Sequence, residues 1–271
     1  MLTKIISTLV LAIVAVQSHA QTEIVLKYKD ADTSYNLQGF EYRPAKWNGQ
    51  VIVMNHGSTG GYVQEIGKTY KFTELAKEAT QAGFIFVTWM RKGRGGSEGI
   101  YDEESDKSNR CTAESLKVEY SRAEKQLLQV LQQVRVTYKV NKVVLAGHSR
   151  GGFMSSMYAT DYSDQVSAVI NIAGVWSAYC EGKNSGYNRG RFTASADSFK
   201  NQYWVYTTRD PFFYSDKFND ESYEWFQRTA SEAKIKFIKL KPLGFESGHN
   251  TAIRYPELWA PKILQEIKSH Q

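Results

Sequence analysis

Cysteine is nearly absent. Cys111 and Cys180 are the two in 271 residues, and neither belongs to a Cys/His spacing able to hold a metal. No metal and no cofactor is therefore expected. Beyond residue 20 no stretch has the length and apolarity to cross a bilayer. No internal repeat or low-complexity tract is present, which excludes a solenoid. There is no helix-turn-helix pattern and no RNA-binding aromatic motif. The formal net charge of +6 is mild, so nucleic acid is not an expected partner. The glycine-rich turn over 55–61 does not end in the Lys-Ser/Thr of a phosphate loop. With 42% hydrophobic and 13% aromatic residues, the chain can build one sizeable core and is rather long for two domains.

The first twenty residues read as a targeting segment. Lys4 supplies a positive start, Ile5 to Val16 is apolar apart from Ser7 and Thr8, and Ser18-His19-Ala20 is a small-x-small cleavage site. The expectation is a secretory signal peptide at 1–20 and one exported domain at 21–271, secreted or periplasmic. The apolar core is short for the alternative, an uncleaved anchor. Two cysteines in an exported chain suggest a Cys111–Cys180 disulfide, with two unpaired thiols as the alternative.

One stretch organises the rest: Lys142-Val143-Val144-Leu145-Ala146-Gly147-His148-Ser149-Arg150-Gly151-Gly152. A β-branched apolar run stops at Gly-x-Ser-x-Gly, and a helix-competent stretch follows. Strand, sharp turn and helix are the setting in which a serine becomes a nucleophile. Gly147 and Gly151 are needed because strand and helix nearly touch there. Gly95-Gly96-Ser97-Glu98-Gly99 matches the same letters. A polar run follows it, so Ser97 reads as a loop residue.

Along the chain, Glu23–Lys29 and Tyr35–Arg43 alternate as an edge hairpin. Val51–Met54, Phe84–Met90, the Ser149 strand, Val166–Ile172, Tyr203–Thr207 and Ile235–Leu240 read as strands, the first two as apolar runs of the kind covered on both faces. Helices are predicted over Tyr70–Ala82, Ala113–Val136, Lys217–Ala233 and Leu258–Ile267. Gly174–Lys200 has little periodicity and is expected to be an irregular excursion near the active-site rim, with room for a short helix. Gly244–Asn250 is expected to be a loop holding His249. The alternation implies an α/β fold: a mostly parallel sheet of about eight strands with helices on both faces.

In such a sheet, reactive groups collect beyond the carboxyl ends of the strands. Ser149, Asp210 and His249 all fall there, in that order. Asp216 and Asp197 are the alternative acids, but neither directly follows a clear strand. His148, beside the serine, is expected to be structural. The turn Asn55-His56-Gly57-Ser58-Thr59-Gly60-Gly61 follows a strand and can present backbone N–H groups. Ser58 is the first choice of oxyanion donor there and Thr59 the second, with the N–H of Arg150 as the other half.

These residues resemble the α/β-hydrolases, most closely the dienelactone-hydrolase-like and secreted esterase branch. The matching positions are His56-Gly57, Gly147 to Gly152, Asp210 and Gly248-His249, and the Arg94-Gly95-Gly96-Ser97 loop resembles the family's Arg-Gly-x-x-Ser loop. The resemblance implies a serine hydrolase acting on a carboxylic ester through a Ser149–His249–Asp210 triad and an acyl-enzyme. A peptidase or amidase on the same triad, and a non-catalytic binding protein with this fold, are the alternatives. Arg91, Lys92, Arg94, Arg110, Arg150, Arg189, Arg191 and Arg209 all fall in predicted rim segments. One or two of them, Arg189 and Arg191 first, are candidates to receive an anionic group of a small or oligomeric ester. Trp176 is a candidate pocket wall.

Overall fold

The computed structural model of the chain describes residues 21–58, 66–103, 112–176, 185–211, 223–243 and 248–270. The signal-peptide segment, both cysteines, Thr59, Arg110 and Asp216 lie outside the described residues.

Strands β1 (Gln21–Asp30) and β2 (Thr33–Tyr42) form the expected hairpin, turning at Ala31, which has φ 50°. Then come β3 (Val51–Asn55), α1 (Thr73–Gln81), β4 (Ile85–Trp89), α2 (Ala113–Tyr138), β5 (Val143–His148), α3 (Arg150–Asp161) and β6 (Val166–Ile172). The rest of the chain gives α4 (Ser185–Ser198), β7 (Gln202–Thr207), α5 (Tyr223–Glu232), β8 (Lys236–Leu240), α6 (Gly248–Arg254) and α7 (Ala260–Ser269). The sheet order is β1-β2-β4-β3-β5-β6-β7-β8. β1–β2 and β2–β4 pair antiparallel, and every other neighbouring pair is parallel.

The apolar runs are explained by two cores. Val51, Val53, Val143 and Leu145 face the layer of α2–α5, with Leu116, Leu127, Phe153 and Phe192. Ile52, Met54, Val144 and Ala146 face the layer of α1, α6 and α7, with Leu75, Ala252 and Ile263. A strand buried on both sides has no polar face to alternate.

Helix α2 is two residues longer than predicted. A Thr112–Ser115 capping box opens it, and Lys139 in the left-handed region closes it. α1 begins three residues later than predicted because Phe72 sits at φ 50°, outside the helical region. The last helix is divided, with a 3-10 turn at Pro256–Leu258 before α7. The excursion over Gly174–Lys200 does hold a helix, longer than the short one allowed for: α4 fills half of it. Its buried positions include Asn188, Phe192, Ser195 and Ala196, two of them polar, so no apolar stripe marks it. Tertiary contacts hold it instead. Phe192 packs on Phe153, Trp204 and Phe226, and Asn188 exchanges two hydrogen bonds with the backbone of Trp176.

The outer edge of β1 carries a device that periodicity does not reveal. Gln133 accepts from the N–H of Lys27 (2.7 Å) and donates to its carbonyl (2.6 Å). Gln129 does the same for Lys29 (2.8 Å each). The two glutamines are about 6 Å apart along the helix, and alternate strand residues are about 6.8 Å apart, so the ladders match. Side-chain amides thus replace a ninth strand at an edge open to pairing. Replacing both with alanine is expected to cost about 1 kcal/mol. It should also produce concentration-dependent association, read by denaturant unfolding and light scattering; a monomer of unchanged stability would refute the capping role.

Candidate active site

The elbow is built by close approach. Ser149 joins β5 to α3 with φ 55° and ψ −123°, a strained conformation for a non-glycine residue. A Cβ on Gly147 would overlap the carbonyl of Gly151, and one on Gly151 would overlap the carbonyl of Asn55 on β3. Both glycines are therefore sterically required, as expected. Ser149 N–H donates to Ile172 (3.0 Å), and its carbonyl accepts from Gly152, Phe153 and Val175. Ser97, the look-alike, is a loop residue that accepts from Gln38 N–H (2.9 Å) and donates to the carbonyl of Met90 (2.6 Å).

Asp210 lies three residues beyond β7, fully buried, after Arg209 at φ 60°. His249 is the second residue of α6 rather than part of a loop, which corrects the expectation. A seven-residue helix opening Gly-His-Asn-Thr has no apolar stripe to announce it. His249 Nδ1 donates to Asp210 Oδ2 at 2.8 Å. Gly248 makes this possible, since a Cβ there would stand 2.6 Å from the Asp210 nitrogen. Asp197, a rejected acid, is exposed and pairs with Lys200 at 3.9 Å.

His148 links His249 to the elbow. Its ring lies 4.7 Å from that of His249, and its Nε2 donates to the His249 carbonyl at 2.9 Å. Burial, with His249 adding to it, pushes His148 down to about 3, so it stays neutral and keeps this donor role. With the Nδ1 proton committed to Asp210, the His249 ring is oriented so that Nε2 is its proton-accepting nitrogen.

Beneath the His56–Ser58 turn lies a cluster of buried charges. Arg91 donates from Nη1 to His56 O (2.7 Å) and from Nη2 to Gly57 O (3.1 Å), and Nη2 also reaches Glu103 Oε1 (2.6 Å). Arg94 pairs with the other Glu103 oxygen at 3.4 Å. Arg150 stands 4.0 Å from Glu119 and lies over the Trp176 ring. Lys92 pairs with Asp102 at 2.6 Å. The rim reading is thus corrected for Arg91, Lys92, Arg94 and Arg150: all four are buried against carboxylates. Glu103 follows a glycine-rich loop and Glu119 belongs to α2, so nothing in the one-dimensional pattern announced these pairs. Trp176 is likewise core rather than pocket wall, fully buried on Tyr120 and Phe153 with its N–H on Glu119 (3.2 Å). Arg191 pairs with Asp161 (3.3 Å), and Arg189 lies over Trp225. A pocket of about 510 Å³ opens between residues 69–74 and Ile253–Tyr255, at the far end of the helix that carries His249. Among the described residues no group of side chains can hold a metal, and no helix is long and apolar enough to cross a membrane.

Burial alone would raise the Glu103 carboxyl, but Arg91, Arg150 and Arg94 outweigh it and bring it from 4.5 to about 2. A depressed carboxylate contributes stability above its unfolded value and loses it as pH falls through the folded one. Glu103→Gln should therefore destabilise the protein by roughly 3 kcal/mol at pH 7, the cost of stranding a buried partner charge. The gap to wild type should narrow between pH 4.5 and about 2, read by denaturant unfolding at each pH; a constant gap would refute the assignment.

Residues 33–266 match the family model Esterase, described as "Putative esterase". A search of curated proteins returns no match. Among solved structures, Est1E from Butyrivibrio proteoclasticus with ferulic acid bound is 14% identical with a TM-score of 0.63, covering 89% of this chain and 99% of that one. An alpha-beta serine hydrolase homologue from Coxiella burnetii is 17% identical with a TM-score of 0.59, covering 92% and 99%. Acylaminoacyl peptidase from Pyrococcus horikoshii is 16% identical with a TM-score of 0.60, covering 93% of this chain and 42% of that one. At these identities the structures establish the α/β-hydrolase fold and do not single out the dienelactone-hydrolase-like branch. From the family match and that fold, the chain belongs to the esterase family of α/β-hydrolases.

Proposed function

We propose that this protein is an exported serine hydrolase that cleaves a carboxylic ester through an acyl-enzyme. The observation that carries the reading is the Asp210–His249 hydrogen bond, whose imidazole lies 4.7 Å from the ring of His148, the residue before a serine in a strained strand-to-helix turn. A serine hydroxyl needs a base to become a useful nucleophile. His249 takes the Ser149 proton as the oxygen bonds to the ester carbonyl carbon, and the carbonyl electron pair moves onto oxygen. Collapse of that intermediate expels the alkoxide, which takes the proton from His249. Water then repeats the sequence on the acyl-enzyme and releases the acid. Asp210 fixes the imidazole tautomer and stabilises its charged form. The backbone N–H groups of Ser58 and Arg150 receive the developing oxyanion; Arg150 opens α3, so its N–H belongs to the positive end of that helix.

For an anionic substrate, Arg189 and Arg191 remain candidates through their guanidiniums. The pocket lined by Tyr70, Lys71, Phe72, Arg254 and Tyr255 is a second place suited to an aromatic or anionic arm. The export reading rests on the sequence of residues 1–20 and brings with it a Cys111–Cys180 disulfide.

A fluorophosphonate probe is expected to label wild-type protein at Ser149 and to leave Ser149→Ala unlabelled. Asp210→Asn should lower kcat on a carboxylic ester by about 10⁴-fold, because the wrong tautomer is then favoured. Labelling elsewhere, or an unaffected Asp210→Asn variant, would refute the triad, and faster turnover of matched amides than esters would favour the peptidase alternative. Exported protein should begin at Gln21, and a non-reduced digest should join the two cysteine peptides; an intact N-terminus or separate peptides would refute those assignments.

A further inference from the structure

We infer that His56 and Arg91 are positioning residues that hold the Gly57–Ser58 peptide so that its N–H faces the oxygen made negative when Ser149 attacks. The inference rests on the esterase reading above. In a trans peptide the carbonyl and the N–H of one plane point in opposite directions. Whatever grips the Gly57 oxygen therefore aims the Ser58 N–H the other way. Two donors grip it: His56 Nδ1 at 2.6 Å and Arg91 Nη2 at 3.1 Å. Arg91 also holds the preceding carbonyl, His56 O, at 2.7 Å, so two successive peptide planes are pinned by one planar fork.

Neither donor is at liberty to turn. His56 Nε2 accepts the N–H of Arg91 at 3.1 Å, which leaves the ring proton on Nδ1, where it meets the Gly57 oxygen. Tyr70 stacks on the ring at 5.7 Å, nearly parallel. Burial first, then Arg91, keeps the imidazole well below its usual range and hence neutral, the state in which Nδ1 is its single donor. The Arg91 guanidinium is anchored on Glu103 at 2.6 Å. Gly57 meanwhile lies against the nucleophile, since a Cβ there would stand 3.1 Å from the Cβ of Ser149. Donors on a carbonyl also polarise its peptide and strengthen the opposite N–H. Arg91 thus acts inward, through a peptide plane.

The test compares His56→Asn, His56→Gln and Arg91→Lys in kcat and KM on a carboxylic ester, and in Ki for a trifluoromethyl ketone that mimics the tetrahedral oxyanion. The amide nitrogen of asparagine occupies the place of Nδ1 and that of glutamine the place of Nε2. His56→Asn is therefore expected to stay within about tenfold of wild type. His56→Gln and Arg91→Lys should lose about 100-fold in kcat with little change in KM, and their Ki should rise as kcat/KM falls. Equal activity of the Asn and Gln variants, a change confined to KM, or an unchanged Ki would overturn the inference. Should the variants not fold, nitrogen NMR of the wild type decides. His56 must show a protonated Nδ1 with a bare Nε2, and the Ser58 amide proton must move downfield on adding the ketone; failure of either overturns it. Wild-type protein that takes no fluorophosphonate at Ser149 fails the esterase reading itself, whereas labelled wild type with indifferent variants fails only this inference.

Discussion

At the centre of the molecule, the backbone of Gly151 lies so close to the carbonyl of Asn55 that no side chain fits between them. That contact sets helix α3 directly over strand β3 and forces the sharp turn at Ser149. Close packing of glycine on backbone has little room to adjust. The same approach lays Gly57 beside Ser149, bringing the end of β3 and the end of β5 to one place. Gly248 repeats the device at Asp210, so His249 and Asp210 also meet through a missing Cβ.

Around this contact the protein spends charge in its interior. Arg91, Arg94, Arg150, Glu103 and Glu119 are all nearly or fully buried. Pairs of this kind are poor sources of net stability, because desolvation offsets much of the attraction. Their value here is orientation. A guanidinium held by Glu103 and by two carbonyls gives the His56–Ser58 turn one conformation, where a glycine-containing turn in water would have many. Stability and site geometry therefore draw on the same few groups.

Elements with a single physical cause were readable in advance. The hairpin, the doubly covered strands and α2 all announce themselves by period, and Gly147 and Gly151 by the narrowness of the turn they flank. Elements whose cause is another part of the chain were not. α4 shows no stripe because Phe192 and Asn188 hold it through contacts with Phe153 and the Trp176 backbone. α6 looked like a loop because its anchor is the Asp210 turn, thirty-nine residues away. The arginines of the Arg91–Arg94 loop looked solvent-facing because a basic loop reads the same whether its counter-ions are water-borne or buried carboxylates.

The sequence by itself determined the fold class, the strand–turn–helix at Ser149 and the order of the three candidate catalytic residues. These follow from local periodicity and from where glycine alone fits. The tertiary structure decided which carboxylate meets His249, which cations turn inward, and how the turn before Ser58 is held. Those choices are pairings between segments distant in the chain, and a charge carries no mark of its partner until folding brings the two together and removes the water between them.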